Sequence, residues 1–600
     1  MAIIVLAGAA LSISNYRRNN AEKWFEGPVR ICPRETPLFY EPAHYRLLGA
    51  SSREEISAKD IEPNGAANLN TKAESDEIPW VDGEGRDEVQ ATIHEKNQRE
   101  DPHLTRLRYD SCYKERKPFR TLQLIAPEDG SLFPSNICPP YVEWEDPHNQ
   151  CWQVCVQVEG DNRSYAFVTQ ERRWRFPESL WNDLKKNAVE KSIRLQIKAV
   201  RLDESGRRIG DIQATEPISI RISRDPADPY IMYRLVVPPF NTFKTPEIYL
   251  RDIRQDEPKL YLSTRREYCL NCHNFSSKKG SSGKMAIQVR SLVKNVNNLP
   301  TYLAIYDFDK REGFKIKLPF EIQMTTFTAW APDGQKIAYS ANQKLVALKP
   351  LVYETQLAAI ATSDIAIYDV DRNDTYLVPG ACDPNLLEIY PQWTLDGKRL
   401  IFSRSPLGAH PAQILYDLYY VDLDASPPQP KPVPGASGNG HSNVFSHYSP
   451  DGQWFSFCQS SGGDLIRASS DLYLLPGDWN GPARRLECNV DYATDSWHSW
   501  SSNSRWIVFS SKREGGVYAY LYFTHIDEQG RASPAVALPM TERPIASFNI
   551  PEFIEEPPPV DGDAIFDAIR VEALPRIAQL RTVTGEPTNQ SYGQEEQKSE

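Results

Sequence analysis

Between residues 119 and 224 apolar and polar positions alternate in short runs, "TLQLIAP", "YVEWED", "CWQVCVQVEG", "SYAFVTQE", "IRLQIKAVRL" and "ISIRIS", each ended by turn-forming residues. A period of two turns one face of a strand to a core and the other to water. Several such strands at this spacing predict a β-sandwich. Trp144 falls on an inward position. Cys151 and Cys155 lie four apart on one strand, so they share a face and read as core residues rather than a bonded pair.

From residue 301 to about 555 the alternation repeats at a longer period. Four lines carry it: "FTAWAPDGQKIAYSA", "YPQWTLDGKRLIFSR", "FSHYSPDGQWFSFCQ" and "WHSWSSNSRWIVFSS". Aligned on Asp333, Asp396, Asp451 and Asn503, they are spaced by 63, 55 and 52 residues. Each line is strand, tight turn, strand, and each of the first three is followed by a second strand pair. A four-stranded unit of this kind cannot bury both faces alone, so the units are expected to stack radially into a β-propeller of five or six blades. Asp-Gly suits the hairpin turn, and Trp330, Trp393, Tyr448 and Trp500 recur at one packing position. "TYLAIYDFD" and "FKIKLP" before the first full line, with "SFNIPEF" after the last, are expected to close the ring.

The remaining stretches separate these units. Residues 21–118 hold an acidic, apolar-poor segment that reads as an extended arm or linker. Residues 225–300 lack the long amphipathic helices of an independent small domain and, from their Cys-x-x-Cys-His motif, read as a haem-c-binding segment that borrows its walls from the neighbouring domains. Residues 556–600 read as a C-terminal tail, with a short helix around 562–581.

Composition changes the picture little. Of the formal charge of -12, residues 51–100 contribute -7, with 13 Asp and Glu against 6 Lys and Arg. No clustered basic face argues for nucleic acid. The opening "MAIIVLAGAALSIS" is short for a membrane span but suits a signal-peptide core, so residues 1–20 are read as a signal peptide or N-terminal membrane anchor. The arginines that follow would favour the opposite orientation, which points to a start upstream of Met1. An exported, periplasmic or otherwise extracytoplasmic protein is expected.

One motif carries chemistry: "REYCLNCHNFSS", with Cys269, Cys272 and His273. Such a Cys-x-x-Cys-His admits haem attachment, a redox dithiol or half a zinc site. Structural zinc wants a second ligand pair, and no other Cys-x-x-Cys is present. A dithiol wants a strand-to-helix setting that this mainly β chain does not offer. Haem c needs only this motif: two thioethers and the adjacent imidazole as proximal ligand. No Ser-His-Asp order, phosphate loop or paired catalytic carboxylates emerges, and no catalytic residue is assigned.

Three resemblances attach to these residues. "APEDGSLFPSNICPPYVEW" resembles the opening of fibronectin III and immunoglobulin-like modules, a spacer or platform. The repeats, with "SPDG" at 449–452 the nearest match, resemble TolB-like propellers. "REYCLNCHNFSSKKGSSGKMAIQVR" resembles a group of bacterial exported proteins in which a haem c segment and a downstream Met precede such a propeller. That resemblance implies a monohaem cytochrome fused to a propeller, with one covalent haem c on Cys269 and Cys272 and iron held by His273 and Met285. Met232, Met324, a propeller histidine or an open position are the rivals for the sixth place. Electron transfer to a redox partner is the expected role. A binding propeller for an envelope or membrane-complex protein, and a haem enzyme with an open sixth site, are the alternatives. Lys278, Lys279 and Lys284 would form a basic patch for an acidic partner. His447 and His498 read either as channel ligands or as hydrogen-bonding partners within the sheet, and His441 as exposed.

Overall fold

The structure, a computed structural model, describes residues 29–31 and, with short gaps, 121–581. The readings of residues 1–20 and of most of 21–118 lie outside the described residues. The chain is mainly β: a sandwich followed by a β-propeller.

In the sandwich, strands Gln123–Ala126, Tyr141–Glu145 and Arg173–Arg175 form one sheet. The facing sheet is centred on Cys151–Val158, flanked by Ser164–Thr169 and Ile193–Leu202. Strand Val29–Ile31 adds to the latter in parallel, so part of the arm pairs rather than links. Trp144 is buried as expected, its ring centroid 6.1 Å from that of Trp152 and tilted 58° to it. Cys151 and Cys155 are free thiols. The helix Glu178–Asn187 was not expected from the strand pattern; Leu180, Trp181 and Leu184 give it one apolar stripe, which it buries in the sandwich core.

The propeller has six blades, and it begins at residue 230 rather than 301. Blade 1 is built from Tyr230–Val236, Glu247–Asp252 and Lys259–Leu262, with Ser547–Ile554 from the far end of the chain as its inner strand. "SFNIPEF" therefore closes the ring as expected, but on a blade drawn from the segment read as haem-c-binding. Blade 2 is Tyr268–Phe275, Lys284–Ser291, Thr301–Asp307 and Glu312–Lys317. The next two blades begin at Thr326–Trp330 and Leu386–Trp393 and share one nine-stranded sheet only through a single bridge, Ser363 to Leu387. Ser442–Tyr448 and Asp495–Trp500 open blades 5 and 6.

The repeated lines do two jobs. Asp333, Asp396, Asp451 and Asn503 each accept the backbone N–H two residues on, at 2.9, 3.1, 3.0 and 3.1 Å. Gly334, Gly397 and Gly452 take φ of +65, +68 and +72°, and Ser504 takes +61° where glycine is replaced. Asn503 thus preserves the turn because its carbonyl oxygen serves as the aspartate oxygen does. Three of the four recurring aromatics stitch their blade to the one before: Trp330 Nε1 donates to Asn274 O at 3.1 Å, Trp393 to Ala329 O at 3.0 Å, and Trp500 to Ser456 Oγ at 2.8 Å.

One apolar cluster runs from the sandwich into blades 1 and 3 to 6, joining the two units through a common core. Charged contacts reinforce the junction: Glu143 pairs with Arg173 and Arg543, and Arg543 with Glu514. Helix Gly562–Ile569 is shorter than expected; it packs under blades 1 and 2, and the chain then turns into two short strands.

Candidate functional site at the propeller axis

Every inner strand bulges once against its neighbour. At five of these bulges a side chain sits at positive φ: Phe327, Tyr390, Phe445, Trp497 and Ile550. The four aromatics pack edge to edge around the axis, with centroids 4.3, 4.5 and 5.9 Å apart in sequence. The register places Asn271 at the sixth position, where it accepts a hydrogen bond from Arg234, whose guanidinium lies 5.7 Å from Trp497. Positive φ costs a bulky residue about 1–3 kcal/mol. The bulges are therefore held by the mutual packing of the belt.

Two residues beyond the belt, the register aligns His273, Ala329, Gln392, His447, Ser499 and Glu552. Five of these six are polar, which no core-packing rule requires. Lys278 reaches into this level from the loop after the inner strand of blade 2 and donates to Ser499 Oγ at 3.2 Å and Phe553 O at 3.4 Å. Glu552 accepts from Phe275 N at 3.2 Å. Burial outweighs the Lys278 charge and pushes its carboxyl up to about 7. Burial, assisted by Lys278, pushes His447 down to about 4, although His447 keeps some contact with solvent. Asp228, from the linker between the units, is raised by burial and accepts from Ser502. His498 packs edge-on to His447 at 5.0 Å and meets Ser456 Oγ at 2.7 Å, so it serves the sheet. His441 is exposed, as expected.

The sequence-derived haem residues fall inside blade 2. Cys269 lies on its inner strand, with its side chain outside the described residues. Cys272 and His273 are both buried on that strand, and successive strand residues project to opposite faces. The second thiol and the adjacent imidazole are thus not offered to one porphyrin. Met285 sits opposite Phe275 on the neighbouring strand, fully buried among Leu270, Ile287 and Val289. Its strand pairing leaves it a diagonal neighbour of His273 on one side of the sheet, with no room between them for a macrocycle. As folded here, these residues do not fit a covalent haem. Met232 is buried in the same cluster, and Met324 lies outside the described residues. Both ring nitrogens of His273 lack a hydrogen-bonding partner of normal geometry, and burial lowers the imidazole to about 4.

The basic patch is also corrected. Lys278 turns inward, Lys284 is buried and donates to Gly334 O at 3.0 Å, and Lys279 alone of the three is exposed. Lys278 O and Lys279 O accept from Glu555 and Glu556, which pins the loop to the end of the closing strand. Among the described residues no group of three or more His, Cys, Asp or Glu is placed to hold a metal ion, and no helix is long and apolar enough to cross a membrane.

No family model and no curated relative matches this chain. Solved structures do. TolB from Acinetobacter baumannii is 14% identical, with 60% of this chain and 79% of that chain covered and a TM-score of 0.37. A prolyl endopeptidase is 14% identical, with 50% and 40% covered and a TM-score of 0.31. The periplasmic gluconolactonase of Pseudomonas aeruginosa is 12% identical, with 50% and 81% covered and a TM-score of 0.31. The likeness is one of fold.

The polar ring at the axis was missed in the sequence except for His447 and its counterparts in three blades. His273 and Glu552 belong to it only once the ring closure and the bulge in blade 2 are known.

Proposed function

We propose that the protein is an extracytoplasmic binding protein whose propeller recognises a partner at its axis and whose sandwich is a fixed platform. The observation that carries this reading is the convergence of Lys278, His447, Ser499 and Glu552, from three blades and one loop, at the axial level beside the aromatic belt. Buried polar groups cost free energy unless satisfied, so a structural plug at this level would be apolar. Export rests on the apolar N-terminus. The experiment is capture from an envelope extract by the full chain, beside Lys278→Ala and Glu552→Gln. Loss of the same partner in both variants, with neither melting below the wild type, supports recognition at the axis. A partner held equally by all three proteins refutes it.

A second reading, haem c on Cys269 and Cys272 with electron transfer as its role, is favoured by the ring nitrogens of His273, neither of which has a hydrogen-bonding partner of normal geometry. It requires the inner strand of blade 2 to give up the pairing described above. A reduced pyridine haemochrome spectrum on protein exported in a host with haem c maturation decides: a c-type α-band would establish this reading, and its absence would remove it.

A further inference from the structure

After the last helix the chain runs along the outer rim of the propeller. Arg576–Ile577 pairs in parallel with Ile316 and Lys317 on the outer strand of blade 2, and Gln579–Leu580 with Asp374 and Thr375 on that of blade 3. Between them Ala578 is buried in the seam that joins the two blades. Beside Ala578, Leu580 brings apolar surface to this contact, partly buried against the same seam. Leu574 and Ile577 are 91% and 70% exposed, and Arg576 and Gln579 are exposed as well.

The groove beneath is built for particular side chains. The Arg576 guanidinium lies 3.5 Å above the Phe314 ring and that of Arg581 4.4 Å above Tyr376. Arg581 Nε stands 3.0 Å from Asp374, an ion pair without the alignment of a hydrogen bond. Asn373 Nδ2 donates to Ile577 O at 3.0 Å, and Asn373 O accepts from Gln579 N at 3.1 Å. Arg581 N donates to Thr375 O at 2.9 Å. Asp374 pairs across the hairpin with Asp369, which Arg372 also reaches at 4.0 Å, so Arg581 is a second cation on this pair of carboxylates. Backbone pairing of this kind adds a strand to a sheet edge and reads the alternate side chains through pockets.

We infer that the rim between blades 2 and 3 is a recognition groove for an extended peptide of the pattern Arg-x-Ala-x-x-Arg, occupied at rest by the chain's own residues 576–581. The two aromatic faces and Asp374 select the arginines, and the closed seam at Ala578 selects a small residue. Short ladders with one buried side chain open locally at low cost. Tethering holds the segment in place at an effective concentration on the order of millimolar, so a peptide segment of a partner protein competes only when the tail is released or the partner binds at a second point. This groove is independent of what the axis binds.

The test uses the full chain with a protease site placed between Ile569 and Leu574, and a fluorescent peptide of residues 574–582, LPRIAQLRT. Anisotropy should show no binding to the uncut protein, and saturable binding after cleavage and dialysis. Peptides carrying Ala578→Asp or Arg581→Glu should bind at least tenfold more weakly. Equal binding of all three peptides, or a cut tail that never exchanges with the labelled one, would overturn the inference. In the uncut protein, hydrogen exchange at Ala578 and Gln579 should be at least a hundredfold faster than at Leu303 in the core of blade 2; equal protection would show a permanent element and also overturn it.

Discussion

Glu552 offers the sharpest test of the axial electrostatics. Its carboxyl is raised from 4.5 to about 7 because the closing strand buries it, with the Lys278 charge and the Phe275 N–H opposing the rise. A raised acid binds its proton more tightly in the folded state than in the unfolded chain. Below about pH 4.5 it is protonated in both and contributes no penalty. As pH rises through 4.5 to 7 the unfolded chain ionises first and stability falls. Above about 7 the full penalty stands, the difference of 2.5 pKa units amounting to about 3 kcal/mol. Glu552→Gln keeps the acceptor for Phe275 N and has no charge to bury. The variant should match the wild type near pH 4 and exceed it at pH 8 by up to about 3 kcal/mol. Urea unfolding followed by tryptophan emission at pH 4, 6 and 8 reads this directly. Glu388, also raised to about 7 by burial, shifts both proteins alike and cancels in the comparison. A gap that is constant with pH, or that widens towards acid, would show that Glu552 is not buried as described.

Arg404→Ala strips Glu388, which is wholly buried, of its 2.5 Å ion pair. It should cost about 3–5 kcal/mol, with much of the loss recovered in a double variant with Glu388→Gln, as thermal unfolding would report. Gly562→Ala would place a Cβ 1.5 Å from Tyr261 O, so the helix Gly562–Ile569 should detach and become cleavable by limited proteolysis while the blades stay protected. Trp144→Ala should cost about 3–5 kcal/mol from the lost sandwich core. Trp144→Phe should cost less, since Nε1 of Trp144 makes no hydrogen bond, and denaturant midpoints would separate the two. The Cys272 thiol should resist alkylation in the native protein and react fully in denaturant, read by mass spectrometry; reaction in the native state would contradict its burial on the inner strand of blade 2.

Where local spacing determines local structure, the fold was legible. The Asp-Gly lines predicted the hairpins, because an aspartate two residues before a backbone N–H makes the turn by itself. The sandwich strands followed from alternation, and Trp144 from its inward phase. Blade 1 was not legible, since its inner strand comes from residues 547–554 and its other three from 230–262. No local pattern announces a pairing across some three hundred residues, and without it the segment 225–300 reads as a haem-c-binding segment outside the propeller. The tail was misjudged for a related reason: Ala578 and Arg581 look polar or small in sequence, and their value lies in a seam and an aspartate contributed by other blades.

The Cys-x-x-Cys-His shows how a specific motif can hide a strand. "YCLNCHNF" contains Leu270 and Phe275, both buried in the cluster that blades 1 and 2 share, and the following "MAIQVR" adds Met285, Ile287 and Val289 to the same cluster. Those residues favour an extended, paired conformation, in which Cys272 and His273 part to opposite faces. A helical turn would instead set them about a third of a turn apart, with both able to serve one ligand. The two conformations compete for the same eight residues. In the folded propeller the choice is made by what surrounds them: pairing with Lys284–Ser291 on one side, Glu552 accepting from Phe275 N at the strand's end, and Lys278 drawn on to Ser499. Closing the ring with residues 547–554 supplies Glu552 and the Phe553 carbonyl that Lys278 meets, so ring closure and the strand conformation of the motif stabilise one another. Any covalent chemistry at Cys269 and Cys272 would therefore have to precede closure of the propeller, because afterwards Cys272 is buried.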